Sequence, residues 1–139
     1  MGKTIYQKNF EKLDLLLGGI EAFMKSEEHY MKLKAAGFMD LSIDVLGNSR
    51  IAIAHNFVQN GDLMADPDME IRVDLKNRTA EALTFQNDSL GVYQEVYPSP
   101  GKVYPALKRD LNQFLGFWLD NLKLQGFSKK EETSEKEMD

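Results

Sequence analysis

Residues 49–85 read SRIAIAHNFVQNGDLMADPDMEIRVDLKNRTAEALTF, and the fold follows from how this stretch is divided. Ile51, Ile53, His55 and Phe57 recur at every second position, the period of a strand with one face buried. Gln59-Asn60-Gly61-Asp62 ends that run, because Asn-Gly accepts positive φ at both central positions of a tight hairpin turn. Met69, Ile71, Val73 and Leu75 then alternate again, with Asp68, Glu70, Arg72 and Asp74 on the opposite side. Lys76-Asn77-Arg78 turns the chain into a further extended run, Thr79–Phe85. The stretch is thus two or three antiparallel strands, and the segments on either side are expected to cover them.

Upstream, residues 5–26 carry apolar side chains at Tyr6, Phe10, Leu13, Leu17, Ile20 and Met24, the stripe of an amphipathic helix. Gly18-Gly19 interrupts it at about 1 kcal/mol per residue relative to alanine, so a kink, a split or a close approach by a neighbour is expected there. Ser26-Glu27-Glu28 ends the helix. Residues 29–34 fit two periods: Tyr30, Met31 and Leu33 can extend a helix to Lys34, or Met31 and Leu33 can open a strand. The strand is preferred, and residues 38–46, with Met39, Leu41, Ile43 and Val45, form the next one. Leu46-Gly47-Asn48-Ser49 is a hairpin turn into the central stretch.

Downstream, Gln86-Asn87-Asp88-Ser89 is a turn and Gly91–Tyr97 has the composition of a last strand. Pro98-Ser99-Pro100-Gly101 stops it. A helix then runs from Pro105 to about Gln125, with Gly126 as its C-cap. Its stripe is Leu107, Leu111, Phe114, Leu115, Trp118 and Leu122, and Phe117 departs from it. The expected architecture is one α+β domain over residues 1–127: an N-terminal helix, an antiparallel meander of four to six strands, and a C-terminal helix packed on the sheet. Residues 128–139, SKKEETSEKEMD, have the composition of a charged, disordered tail.

A chain of 139 residues buries roughly two-thirds of its unfolded surface, enough for a core without crosslinks. It has no cysteine, which excludes disulfide scaffolds, thiol catalysis and Cys-ligated zinc. The N-terminal sequence lacks the apolar core of a secretory signal, and no stretch approaches the ~20 apolar residues of a membrane span. The expected location is the cytoplasm, with no membrane partner. Net charge is −5, from 17 basic and 22 acidic residues, and no basic patch of a nucleic-acid binder is visible.

The element order, MEIRVDLKNRTAEAL (69–83) and LNQFLGFWLDNL (111–122) together resemble two bacterial families, domain of unknown function 6908 and domain of unknown function 1249. The second shares a terminal N-Q-F-L-x-x-W-L helix. The first resembles the chain more closely, through GFMDL (37–41), HNFVQNGD (55–62), DPDMEI (66–71), EALTFQND (81–88) and YQEVYP (93–98), over roughly residues 29–127. The resemblance implies a bacterial protein associated with mobile elements, and brings no catalytic residues with it.

Four constellations bear on chemistry. His55, Asp62, Asp66, Asp68 and Glu70 could supply oxygen and nitrogen ligands to a divalent ion, but the EF-hand spacing is absent and solvated turns explain the same residues. Asp68 and the Asp74-Leu75-Lys76 triplet mimic a nuclease motif, yet six strand residues hold the two carboxylates roughly 20 Å apart. No G-x-S-x-G elbow accompanies the two histidines. Finally, Tyr93, Tyr97, Tyr104, Phe114, Phe117 and Trp118 gather about the last strand and helix. Core packing accounts for most of them, and Tyr97, Tyr104 and Phe117 are the candidates for an interface.

The expected function is a non-enzymatic protein-binding or adaptor domain, without cofactor. Its partner is another protein or a second copy, and the context implied by the resemblance is accessory work for a mobile element. The alternative is a small metal- or ligand-binding enzyme centred on the His55–Glu70 hairpin.

Overall fold

The alternation read from the central stretch builds the two longest strands of a computed structural model, which describes residues 2–129. Strands β3 (Arg50–Gln59) and β4 (Asp62–Asp74) pair antiparallel, with Ile51 opposite Ile71 and Ile53 opposite Met69. All four side chains are fully buried. Their turn places Asn60 and Gly61 at φ 54° and 84°, the left-handed pair that a two-residue hairpin turn requires.

Strand β1 (Tyr30–Leu33) and strand β2 (Leu41–Gly47) extend the sheet on the β3 side, with Met31, Leu33, Leu41 and Ile43 on the same inner face. Residues 29–34 therefore follow the two-residue period. On the other side, β4 has more than one neighbour. Its end, Ile71–Asp74, pairs with β5 (Thr79–Ala82), and Asp68 pairs with Gln86 of β6 (Thr84–Asn87). Strand β7 (Val92–Glu95) pairs with β6 and completes an antiparallel sheet of seven strands. The count exceeds four to six because Thr79–Phe85 divides at Leu83. There the Leu83 N–H donates to the Glu70 carbonyl at 2.8 Å and its carbonyl accepts from Val96 at 2.9 Å. A short 3₁₀ turn, Asp88–Leu90, capped by the Asn87 side chain, links β6 to β7.

Helix α1 (Ile5–Leu17) begins with a capping box. The Gln7 N–H donates to Thr4 Oγ1 at 3.2 Å, and the Thr4 N–H donates to Gln7 Oε1 at 2.9 Å. It ends where Gly18 and Gly19 take φ values of 67° and 116°, conformations that side-chain-bearing residues resist. The expected helix is thus split, and a short α2 (Ile20–Lys25) follows, its first N–H bonded to the Asp14 carboxylate at 2.8 Å. Helix α3 (Pro105–Gln125) starts on proline and closes on Gly126 at φ 100°.

Helices α1 and α3 pack on each other and on β5, and both contribute to one hydrophobic core with the inner sheet face. They run parallel, since Tyr6 meets Lys108, Asn9 meets Asn112 and Lys12 meets Asp120. A buried polar tie fixes them. Asn9 Nδ2 donates to the Asn112 carbonyl at 3.0 Å, while Asn112 Oδ1 accepts from the Ala82 N–H at 2.8 Å. Asn112 Nδ2 donates to the Lys108 carbonyl at 2.7 Å. One asparagine side chain therefore joins the first turns of α3 to β5, and with them the residues described next. The expected tail lies outside the described residues from 130 onward.

Candidate functional site

Cross-strand pairing sets Arg72 of β4 opposite Glu81 of β5, so the two side chains share one sheet face, opposite the one that buries Val73 and Ala80. The Glu81 side chain is only 17% exposed and gathers three partners from three separate segments. Arg72 Nη1 lies 3.5 Å from one carboxylate oxygen, and Lys108 Nζ of α3 lies 3.5 Å from the other. The Tyr97 hydroxyl donates to that second oxygen. The Tyr97 ring is contacted by both cations, with the Arg72 guanidinium 5.5 Å and Lys108 Nζ 5.7 Å from its centroid. Tyr6 of α1 receives the same ammonium at 5.6 Å. Such cation–π contacts are worth about 0.5–1 kcal/mol each at exposed sites.

Two clefts flank this cluster and share Val103 as a wall. One, about 690 Å³, lies between Arg72, Tyr97 and the loop Pro98–Val103, which includes Lys102. The other, about 530 Å³, lies among Tyr6, Pro105, Lys108, Arg109 and Asn112. The described residues that line them include four cations and no carboxylate. The Tyr97 phenol beside Lys108, and the Glu81 charge with it, hold the ammonium above the ordinary lysine value, against the opposing effect of burial. The site therefore presents fixed positive charge at neutral pH, on aromatic and proline walls.

Of the three expected interface residues, the structure brings two to this place. Tyr97 is part of the cluster. Tyr104 is the N-cap of α3, 55% exposed, and its N–H donates to the Val96 carbonyl at 2.9 Å. Phe117, 64% exposed, lies thirteen residues further along the helix, about 20 Å away at the usual rise. It is a separate surface.

The hairpin residues proposed as metal ligands do not converge. His55 is buried on the helix side of the sheet, with its ring centroid 5.8 Å from Trp118 and 5.6 Å from Phe127, and Nδ1 3.2 Å from the Asp40 carbonyl. Asp62 opens β4 beside the hairpin turn, and Asp66 accepts from Asn87 Nδ2 at 2.8 Å. Asp68 and Glu70 project from the opposite face, since Asp68 pairs with Ala54 and Glu70 with Ala52. Strand alternation thus separates the histidine from the carboxylates, and no group of three or more potential ligands comes together among the described residues. On that outer face burial raises the Asp68 carboxyl above the ordinary aspartate value, and the charges of Glu70, Asp44 and Asp88 push it further. Tyr93 nearby is raised by burial and by the Glu95 and Glu70 charges.

Arg72, Glu81 and Lys108 escaped the sequence reading. Arg72 and Glu81 each sit on the polar phase of an alternating run, where solvated charge is the ordinary expectation. Only the β4–β5 register identifies them as a pair.

A family model described as Domain of unknown function (DUF6908) matches residues 8–128. Neither a curated protein nor a solved structure matches the chain. Among the described residues no helix is long and apolar enough to cross a membrane. The chain belongs to the DUF6908 family.

Proposed function

We propose that this member of the DUF6908 family is a non-enzymatic binding domain that docks a protein partner at the junction of Tyr97 and Tyr104. One observation carries the proposal: two adjoining clefts, lined by cations without carboxylates, open beside an exposed tyrosine and Val103. Tyrosine and arginine are enriched at protein interfaces because each combines an apolar body with hydrogen-bonding ends. The carboxylate of the cluster, Glu81, is engaged by Tyr97, Arg72 and Lys108, an arrangement suited to bracing a surface rather than to moving protons. The context we infer is a bacterial cytoplasm and accessory work for a mobile element. It rests on the family resemblance and on a cysteine-free chain suited to a reducing compartment.

The test is capture from a bacterial lysate by the intact protein and by a Val103→Ser/Tyr104→Ala variant. Both positions are largely exposed, so the melting temperature should not change measurably. A stoichiometric partner held by the wild type and lost from the variant is the expected result. Equal capture by both proteins would move the interface elsewhere, with the Phe117 surface of α3 next in line.

A further inference from the structure

Taking the junction as a docking site, we infer that its occupant is an acidic, extended peptide segment of the partner protein. Its carboxylates would be set against Arg72, Lys102, Lys108 and Arg109. The argument begins with charge. The chain carries −5 overall, yet among the described residues all four ionic side chains lining the two clefts are cations. Glu81 neutralises only part of them: its two oxygens face Arg72 and Lys108 at 3.5 Å, and among the described residues no second carboxylate pairs with either cation. An arginine has five N–H donors in a planar fork that matches a carboxylate, and a lysine has three. Among the described residues Arg109 pairs only with its exposed neighbour Asp110, at 3.5 Å, and Lys102 sits in the exposed loop.

Shape then selects among anions. The two clefts adjoin at Val103 rather than forming one closed hole, so a chain that can thread both uses more of the surface than a compact ion. The walls, Tyr6, Tyr97, Pro98 and Pro100, offer apolar contact to the backbone and side chains between the acidic residues. A long nucleic acid is disfavoured by the rest of the molecule. The outer sheet face carries Asp44, Asp68, Glu70 and Glu95, and a polyanion longer than the clefts would run into such fields within a Debye length of about 10 Å. A short acidic segment need meet only the clefts.

The experiment is fluorescence anisotropy on the full chain with a labelled glutamate-rich peptide. The comparisons are the same peptide with every glutamate replaced by glutamine, and an oligothymidylate of equal charge. The expected result is that the glutamate peptide binds about tenfold or more tightly than its glutamine counterpart, and weakens as salt rises. Binding should be lost in Lys102→Glu/Arg109→Glu, a pair outside the Glu81 network, and kept in Lys32→Glu on the exposed side of β1. Equal binding of the two peptides, no loss in the double variant, or tighter binding of the oligothymidylate would each overturn the inference. Partner capture that still depends on Tyr104 but survives the charge reversal would remove the acidic ligand alone. Loss of peptide binding and of Tyr104-dependent capture together would remove the docking surface as well.

Discussion

Asp68 shows what alternation costs a single residue. Its place opposite Ala54 and Gln86, with Glu70 two residues on, packs like charges on one half-covered face. Burial first, then the Glu70, Asp44 and Asp88 charges, raise its carboxyl above the ordinary value of 3.8. Between that value and the raised one, the folded chain binds more protons than the unfolded chain. Stability therefore falls as pH rises through the window, and the ionised carboxylate opposes the fold at neutral pH. Asp68→Asn should raise the melting temperature at neutral pH, with the advantage fading as pH falls through that window and gone below about 3.8. Calorimetry across that range decides it, and an unchanged or lower melting temperature at neutral pH would contradict the account. The neighbouring Asp88 moves the other way, held below the ordinary value by the Gln86 amide and the Ala65 N–H, so the two carboxylates should separate in a titration followed by NMR.

Between elements, the crossing of α1 and α3 sets where the cleft residues stand. Gly116 is buried inside α3, where glycine costs about 1 kcal/mol relative to alanine. It persists because a Cβ there would lie 2.8 Å from Asn9 Oδ1, a buried oxygen that no described residue hydrogen-bonds. Gly116→Ala should therefore destabilise by about 1–3 kcal/mol despite its better helix propensity. Combined with Asn9→Ala, it should cost less than the sum of the single changes, since the obstructing oxygen is gone. Urea unfolding of the four proteins measures this, and a neutral Gly116→Ala would mean that the helices separate freely at this point. This crossing also shows what the sequence could convey. The stripe of α3 and the alternation of β3 and β4 were legible because each is a local period. The split at Gly18-Gly19 was legible because glycine is costly inside a helix. Asn9, Asn112 and Gly116 carry no such mark; their roles exist only when α1, α3 and β5 meet. The Arg72–Glu81–Lys108–Tyr97 cluster was hidden for the same reason, being assembled from four segments by register. Closeness in sequence also misled at His55 and Asp68, because the pleat turns them to opposite faces.

Across the whole molecule, support is distributed unevenly along one hairpin. From Ile51 to Ala54, β3 has β2 on one side and β4 on the other, and the matching part of β4 is flanked in turn by β5 and β6. Past the irregularity between Ala54 and Asn56, the pairs Asn56–Ala65 to Gln59–Asp62 have no third strand beside them among the described residues. The base of this arm is tied by Asp88 to the Ala65 N–H at 2.7 Å and by Asn87 to Asp66. Beyond it Val58 and Leu63 are 70% and 71% exposed. A two-stranded ribbon in water is marginal by itself, so the arm should open without the rest of the fold. In native-state hydrogen exchange, amides of residues 57–64 should exchange through local opening. Those of Ile51, Ile53, Met69 and Ile71 should exchange only on global unfolding, insensitive to changes in the arm. The Ala82 amide, bonded to Asn112, should group with the slow set. That last amide is the informative one, because it sits beside Glu81 and reports whether the cleft belongs to the rigid body. Fast exchange at Ala82 would mean that the cleft is assembled only on binding, whereas slow exchange would mean that the partner meets a surface already formed.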